Sequence, residues 1–515
     1  MPQIFQSGSV NTAALTVPDI DIIEVPPQLL LNGHPSGILG VVGVGSWGPL
    51  NTPITAGTLS EATGLVGPVT VRLHDLATAV ALGTLNGASD FRLVRVSDGT
   101  DTAASATIPS GALTASPTFW AALAAAINTG TGVQRGASLS VSLDATTGII
   151  SALYTGIVGN GITLAVGPGS KYGTYRGVVQ MPGAQPEIYD NIVASAAPTL
   201  ASYSLTGGTD GASGVTSAEL VGSDVSPPTG AYALRSQGCA VGTVADLTDS
   251  TQWTTLDAFG ASEAIYWVHQ VAWGTSISAA ITLKNSEGLD SRNSKLMHGD
   301  AVYYNDTVNS IIRLVSPSLF AAAELVSLAP NQSPLNKKLA GIVGSQKSGL
   351  ASTGASARYS TADLSQLFQA GIDVICNPAP GGAYWACRSG RNTSSNAAIR
   401  QDASTRMNNW LATSIEAVMG YYVGLPISID LLQAISASLN GFLSNVDGQK
   451  MLGAPAGGPS YRVVCDATNN PQAMTGIGYV QASIKVTTQA INEEFLISLE
   501  DGPTVVIASN VASSN

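Results

Sequence analysis

The spacing of apolar positions changes period several times along the chain, and each change marks an element. Residues 16–27, TVPDIDIIEVPP, alternate polar and apolar side chains, with prolines that forbid a long helix. This predicts an extended terminal arm that either docks on its own sheet or adds a strand to a neighbour's. Residues 37–45, GILGVVGVG, are continuously apolar or small, the pattern of a strand buried on both faces. Leu73, Leu76, Ala77 and Val80 recur at helical spacing and predict a helix over 72–86, ended by Asn86-Gly87. Residues 90–96 return as a strand. From 98 to 205 charge almost vanishes and Gly, Ser, Thr and Ala dominate. There, 138–143 alternate strictly, a turn is predicted at 144–148, a partner strand at 149–154, and a single helix at 119–128.

Alternating strand and helix patterns resume after 206. Strands are predicted at 264–268 and 301–304, and a helix at 319–326. Leu364, Leu367 and Phe368 mark another helix, ended by Gly371. Met407, Trp410, Leu411, Ile415 and Val418 form one apolar helical stripe, and Leu432, Ile435, Leu439 and Phe442 form a second behind Ser428 as cap. Val480, Ala482, Ile484 and Val486 alternate with polar residues and give the strongest strand signal. Phe495, Ile497 and Leu499 give one more strand, and 504–508 a last one. The pattern predicts an α/β (α+β) multi-domain chain with a mixed-sheet core. That core is built from 33–97 and 206–489. A mostly β domain is inserted at 98–205, an extended arm occupies 1–32, and a C-terminal strand and arm occupy 490–515.

Composition changes the picture in one respect. The 515 residues are 44% hydrophobic but only 11% charged, against about 25% in ordinary soluble proteins. A surface poor in charge is poorly protected from self-association, so much of it is expected to meet other subunits. The net charge of -12 and pI near 4.7 leave no basic patch for phosphate neutralisation, so no direct contact with nucleic acid is expected. The sequence has no run of 18 apolar residues and no basic-then-apolar leader, so no membrane insertion is expected. The four cysteines, at 239, 376, 387 and 465, form no CxxC pair and fit free thiols in a reducing compartment.

The search for chemistry finds little. Gly40, Gly43 and Gly45 follow G-x-x-G-x-G, not the order that closes a strand and opens a phosphate-binding helix. They predict a buried strand and a tight turn. His34, His74, His269 and His298 have no metal-ligand spacing, and His74 is expected on a helix surface. There is no G-x-S-x-G or S-x-x-K. A Cys-His pairing at Cys376 or Cys387 stays open, with buried structural thiols favoured. Glu493-Glu494 and Glu500-Asp501 point to alternate sides of a strand and fit solvated or ion-paired positions better than a glycosidase pair. No catalytic, cofactor or metal residues are therefore assigned.

Four stretches carry a resemblance in order: GHPSGILGVVGVGSWGPLNTPI at 33–54; LTGGTDG at 205–211; NPAPGGAYWACRSGR at 377–391; and VVCD at 463–466 with Asn469, Gly478, the strand to Lys485, and EEFLI at 493–497. Together they resemble contractile tail sheath proteins, of myovirus-type phage tails and related injection systems. The segment 386–389 departs from that family in lacking its usual Gly and Thr.

The resemblance implies a structural subunit of the virion tail, assembled in the bacterial cytoplasm as stacked hexameric rings around an inner tail tube. Baseplate and tail terminator proteins are the further implied partners. Contraction from a metastable extended state would drive the tube through the target envelope during genome delivery, with the inserted domain facing outward. Terminal arms would add strands to neighbouring sheets through Val17, Ile20, Ile22 and Val25 and through Phe495, Ile497, Leu499, Val505 and Ile507. Pro26, Pro27 and Gly33 would be hinges. The competing readings are another self-assembling phage structural protein, a tail or capsid component, and an enzyme acting on surface glycans.

Overall fold

A computed structural model describes residues 33–130, 140–350, 358–377, 384–453, 457–499 and 501, together with the backbone of 4–6 and 22–24. Its centre is a seven-stranded mixed sheet. The order is Ile372–Asp373, Ser294–Met297, Tyr266–Gln270, Val241–Val244, Ile38–Gly43, Asp90–Arg95 and Ile54–Ala56. Every pairing is parallel except the last, which is antiparallel. Ile38–Gly43 is buried along its whole length and pairs on one side with Asp90–Arg95 and on the other with Val241–Val244. One sheet thus closes across about 145 intervening residues, and the α/β core is assembled from both halves of the chain.

The glycines of the G-x-x-G-x-G run serve close packing. A Cβ on Gly40 would lie 2.9 Å from Leu234, one on Gly45 would lie 2.8 Å from the Val66 carbonyl, and one on Gly43 would collide with the His74 carbonyl. Val44 donates its N–H to that same carbonyl at 2.7 Å. Gly43→Ala is therefore expected to destabilise the fold by about 1–3 kcal/mol, read as a lower denaturant midpoint at unchanged slope.

The helix predicted over 72–86 runs Leu76–Leu85. Asp75 caps it, accepting from Thr78 N–H at 2.8 Å. Leu73 lies before the cap and is exposed, so it is not on the buried stripe. His74 is not on the helix surface either. It sits in the preceding turn at φ 62°, its N–H donating to Asp246 and its ring nitrogen Nδ1 facing the Ala245 carbonyl at 2.6 Å. Leu76–Leu85 and Pro317–Ser327 cover one face of the sheet. Trp253–Glu263 and the 3-10 turn Gly230–Leu234 cover the other.

Between the two core segments, Ser105–Thr107, Ile149–Ala152 and Val141–Asp144 form a three-stranded sheet. Glu187–Val193, Thr174–Gln180, Thr163–Pro168 and Ser202–Ser204 form a four-stranded one. Both pack on the helix Pro117–Thr129, through Phe119, Trp120, Leu123 and Ile127. Arg95 fastens this part to the core. Its buried guanidinium donates to the carbonyls of Gly45, Gly48 and Thr155 at 2.9, 2.6 and 2.9 Å, and burial lowers it to about 10.

The two long helices Asp402–Met419 and Ile429–Gly448 pack on an antiparallel strand pair, Tyr461–Val464 with Ser483–Val486. They build clusters of their own, where the sequence suggested a continuation of the core. Ser428 caps the second helix as expected, accepting from Leu431 N–H at 3.1 Å. The strand predicted from Val480 begins only at Ser483. Among the described residues no helix is long and apolar enough to cross a membrane.

His269 stands inside the sheet, stacked on Trp267 with ring planes 8° apart, and burial drives it down to about 3. In the unfolded chain an imidazole titrates near 6.5, so the unfolded state takes up the proton first. The stability His269 contributes is present above that value and is lost as pH falls through the folded value. His298, lowered to about 4 by burial and Lys347, acts in the same sense. Burial raises Glu324 to about 7 and Asp402 to about 6, which acts oppositely, removing stability as pH rises through those values. His269→Phe is expected to gain stability relative to the parent as pH falls from about 6.5 toward 4. Parallel denaturation profiles of the two proteins would contradict this.

Candidate assembly surfaces

The chain leaving Ser483–Val486 is first held and then released. Thr487 donates to the Ser460 carbonyl at 2.7 Å, and Ile491 donates to Gln401 Oε1 at 3.1 Å. Glu493 pairs with the Arg391 guanidinium at 2.9 and 2.5 Å, and its carboxyl lies below its ordinary range because these bonds outweigh the opposing effect of burial. Beyond it, Phe495, Leu496, Ile497 and Leu499 are 78, 91, 76 and 86% exposed. The strand predicted on Phe495, Ile497 and Leu499 makes no ladder, because no described strand lies beside it. Full burial of each such side chain is worth roughly 1.5–3 kcal/mol. Four together leave a large term unrealised among the described residues.

The N-terminal segment is held at its base by the helix Asp402–Met419. Gly33 adopts φ 64°, and a Cβ there would lie 2.7 Å from the Trp410 ring. Trp410 Nε1 donates to the His34 carbonyl at 2.7 Å, and His34 N–H donates to Ser414 Oγ at 2.8 Å. Upstream, Ile4–Gln6 and Ile22–Glu24 pair in parallel as a two-stranded sheet of their own. Ile22 thus stands in a strand. Val17, Ile20, Val25, Pro26, Pro27, Val505 and Ile507 lie outside the described residues.

Arg391 is in turn positioned by a buried ionic cluster that sequence reasoning missed. Lys295, inside a sheet strand, contacts Asp373 at 2.9 Å and Asp402 at 3.3 Å, and all three side chains are inaccessible. Its Nζ also donates to the carbonyls of Ser389 and Arg391 at 3.0 and 3.3 Å. Asp373 accepts from the N–H groups of Val374, Arg388 and Ser389 at 2.7, 3.0 and 2.8 Å. Burial opposes the charge on Lys295, but Asp373 and Asp402 outweigh it and hold the ammonium above its ordinary range. One turn further along the helix from Asp402, Arg406 donates to the carbonyls of Leu325, Leu328 and Gln332, at and just beyond the end of Pro317–Ser327. The only sequence signal is Lys295 beside Leu296 and Met297, in a stretch that the apolar spacing did not mark as a strand.

The cysteines are buried and free. Cys376 and Cys387 stand on adjacent short strands, where Ile375 faces Cys387 and Cys376 faces Ala386. Burial pushes Cys376 up to about 11 and Cys239 up to about 12, far from the range of a reactive thiolate.

This architecture is shared with solved proteins. A sheath tail protein from Desulfitobacterium hafniense aligns over 87% of this chain and 93% of its own, at 14% identity and a TM-score of 0.53. A sheath tail protein from Listeria innocua aligns over 85% and 90%, at 13% identity and 0.57. The anti-feeding prophage helical sheath in its contracted state aligns over 95% and 99%, at 12% identity and 0.54. The chain has the contractile sheath fold. No protein-family model matches the sequence, and no curated protein matches it. The fold resemblance extends over sheath core, intervening β-rich part and strand pair alike, since so much of both chains is covered.

Proposed function

We propose that this protein is the structural subunit of a contractile sheath, a polymer-forming protein and not an enzyme. The observation that carries the reading is the exposed apolar run Phe495–Leu499, continuing from a strand pair whose outer edges have no ladder partner among the described residues. Added strands are held by backbone hydrogen bonds and tolerate large rigid-body shifts of the subunits they join. The terminal segments, with Val17, Ile20, Ile22 and Val25 at one end and Phe495, Ile497, Leu499, Val505 and Ile507 at the other, would be the exchanged strands. Pro26 and Pro27, just ahead of the Gly33–Trp410 anchor in sequence, would form with Gly33 the hinge at which the arm turns.

In this reading subunits stack as hexameric rings around an inner tube, bind a baseplate at one end and a terminator at the other, and shorten from a metastable extended state. Contraction buries new intersubunit surface and needs no nucleotide. The unit at 98–205, carried on the core through Arg95, would face outward from the polymer. Delivery of a phage genome or of another cargo is compatible with the same device. Electron microscopy of the purified chain at raised concentration tests the reading: hollow tubes support it, and a small closed oligomer that persists at every concentration sinks it.

A further inference from the structure

The unit at 98–205 carries one displayed aromatic side chain. Thr163–Pro168 and Thr174–Gln180 pair as an antiparallel hairpin, with Lys171 and Tyr172 at its tip. The tip backbone is pinned. Ser170 N–H donates to Asp190 Oδ1 at 3.0 Å, Lys171 N–H to Asn191 Oδ1 at 3.1 Å, and Gly169 N–H to the Thr174 carbonyl at 2.8 Å. Tyr172 is nevertheless fully exposed, more so than any other large apolar or aromatic side chain among the described residues. Lys171 beside it makes no ion pair with a described residue. A tyrosine on a pinned turn loses little conformational freedom on docking, and its ring offers roughly 150–250 Å² to a pocket.

A matching cleft lies at the carboxyl ends of the parallel strands. Ile38–Gly43 connects onward through Leu76–Leu85 on one sheet face, and Val241–Val244 through Trp253–Glu263 on the other. Such a switch point leaves a crevice between the diverging connections. Here it is a cleft of about 370 Å³, with Leu73, Leu220, Leu247 and Trp273 as its apolar lining. His74 and Asp246, bonded to each other in its wall, both hold positive φ, 62° and 53°. Strained non-glycine backbone of this kind collects at binding sites. With the His74 proton on Nδ1 toward the Ala245 carbonyl, Nε2 is an acceptor. Neither Nε2 nor the Thr248 hydroxyl is bonded to a described residue. The lining also holds the carboxylates of Asp246 and Asp249, but no lysine or arginine, and neither carboxylate is ion-paired among the described residues.

We infer that the Lys171–Tyr172 tip of one copy docks in this cleft of a second copy. The inference rests on the polymer-forming reading above and adds a contact that involves neither terminal arm. The ring meets Leu220, Leu247 and Trp273, the phenol O–H donates to His74 Nε2, and the Lys171 ammonium comes beside Asp249 at the rim. The occupant is a copy of this chain because the charges match: an unpaired cation on the tip faces an acidic cleft in a protein of net charge -12. Tip and cleft are different surfaces, so the contact is heterologous. Each copy gives one half and receives the other, which extends an array instead of closing a pair.

The full chain carries the test. Tyr172→Ala is expected to raise the critical concentration for polymerisation about tenfold or more, and Tyr172→Phe by less, since it keeps the ring. Lys171→Glu is expected to raise it at low salt, with the effect fading as salt is added. The unfolding midpoint of the unassembled chain should not move, because both side chains are exposed. A short bismaleimide reads the geometry, since all four native thiols are buried. Lys171→Cys mixed with Thr248→Cys is expected to give covalent dimers, and the double variant a ladder of higher species. Unchanged assembly of Tyr172→Ala, or tubes of the double variant without a ladder, overturns the contact and leaves the sheath reading standing. A parent chain that never polymerises overturns both.

Discussion

Lys295→Met is expected to cost about 3–5 kcal/mol of folding free energy, the loss seen when one partner of a buried ion cluster is removed. The reason is local. Asp373 and Asp402 would remain without access to water, with no cation between them. Asp402, already raised to about 6 by burial, would give up its charge, and the carbonyls of Ser389 and Arg391 would lose their donor. Lys295→Met with Asp402→Asn is expected to cost less than the single change, because one of the two orphaned carboxylates becomes a neutral amide, while Asp373 keeps the N–H donors of Val374, Arg388 and Ser389. Denaturant titration of both variants checks this. A single-variant loss below about 1 kcal/mol would show that the cluster is not what ties segment 388–391 to the sheet.

Replacing Phe495, Ile497 and Leu499 together with aspartate is expected to do the reverse, leaving the folded chain intact and abolishing the polymer. All three side chains are exposed and have no ladder, so monomer stability should move by less than about 0.5 kcal/mol per site. In an added strand each would be buried at roughly 1.5–3 kcal/mol. The triple change removes about 5–9 kcal/mol from every intersubunit contact, enough to raise the critical concentration by more than a thousandfold. Sedimentation of the variant and its parent at matched concentration reads the result. Undiminished polymer would show that this run is not an assembly strand.

Much of the architecture was legible because its signals are local. Ile38–Gly43 announced itself by unbroken apolar and small residues, and the stripes on Asp402–Met419 and Ile429–Gly448 by helical spacing. The glycine run was readable as packing because its order is wrong for a phosphate loop, and the close approaches of Leu234, Val66 and His74 explain each position.

What escaped was non-local. Nothing near Lys295 in sequence indicates Asp373 or Asp402, which only the sheet and the start of a helix bring together. Leu73 fits the helical stripe by spacing, but the capping carboxylate of Asp75 starts the helix after it. Phe495–Leu499 carries strand periodicity without a strand, since a ladder needs a partner and no described strand lies beside it. The candidate assembly segments were therefore readable as composition and period, while their anchoring through Arg391, Gln401 and Trp410 was not.

The most direct test of the account is electron microscopy of the full chain at raised concentration beside a deletion of residues 1–32. The account predicts hollow tubes from the full chain and dispersed subunits from the deletion, both with the same unfolding midpoint for the folded core. Small closed oligomers of one size from both proteins would contradict it.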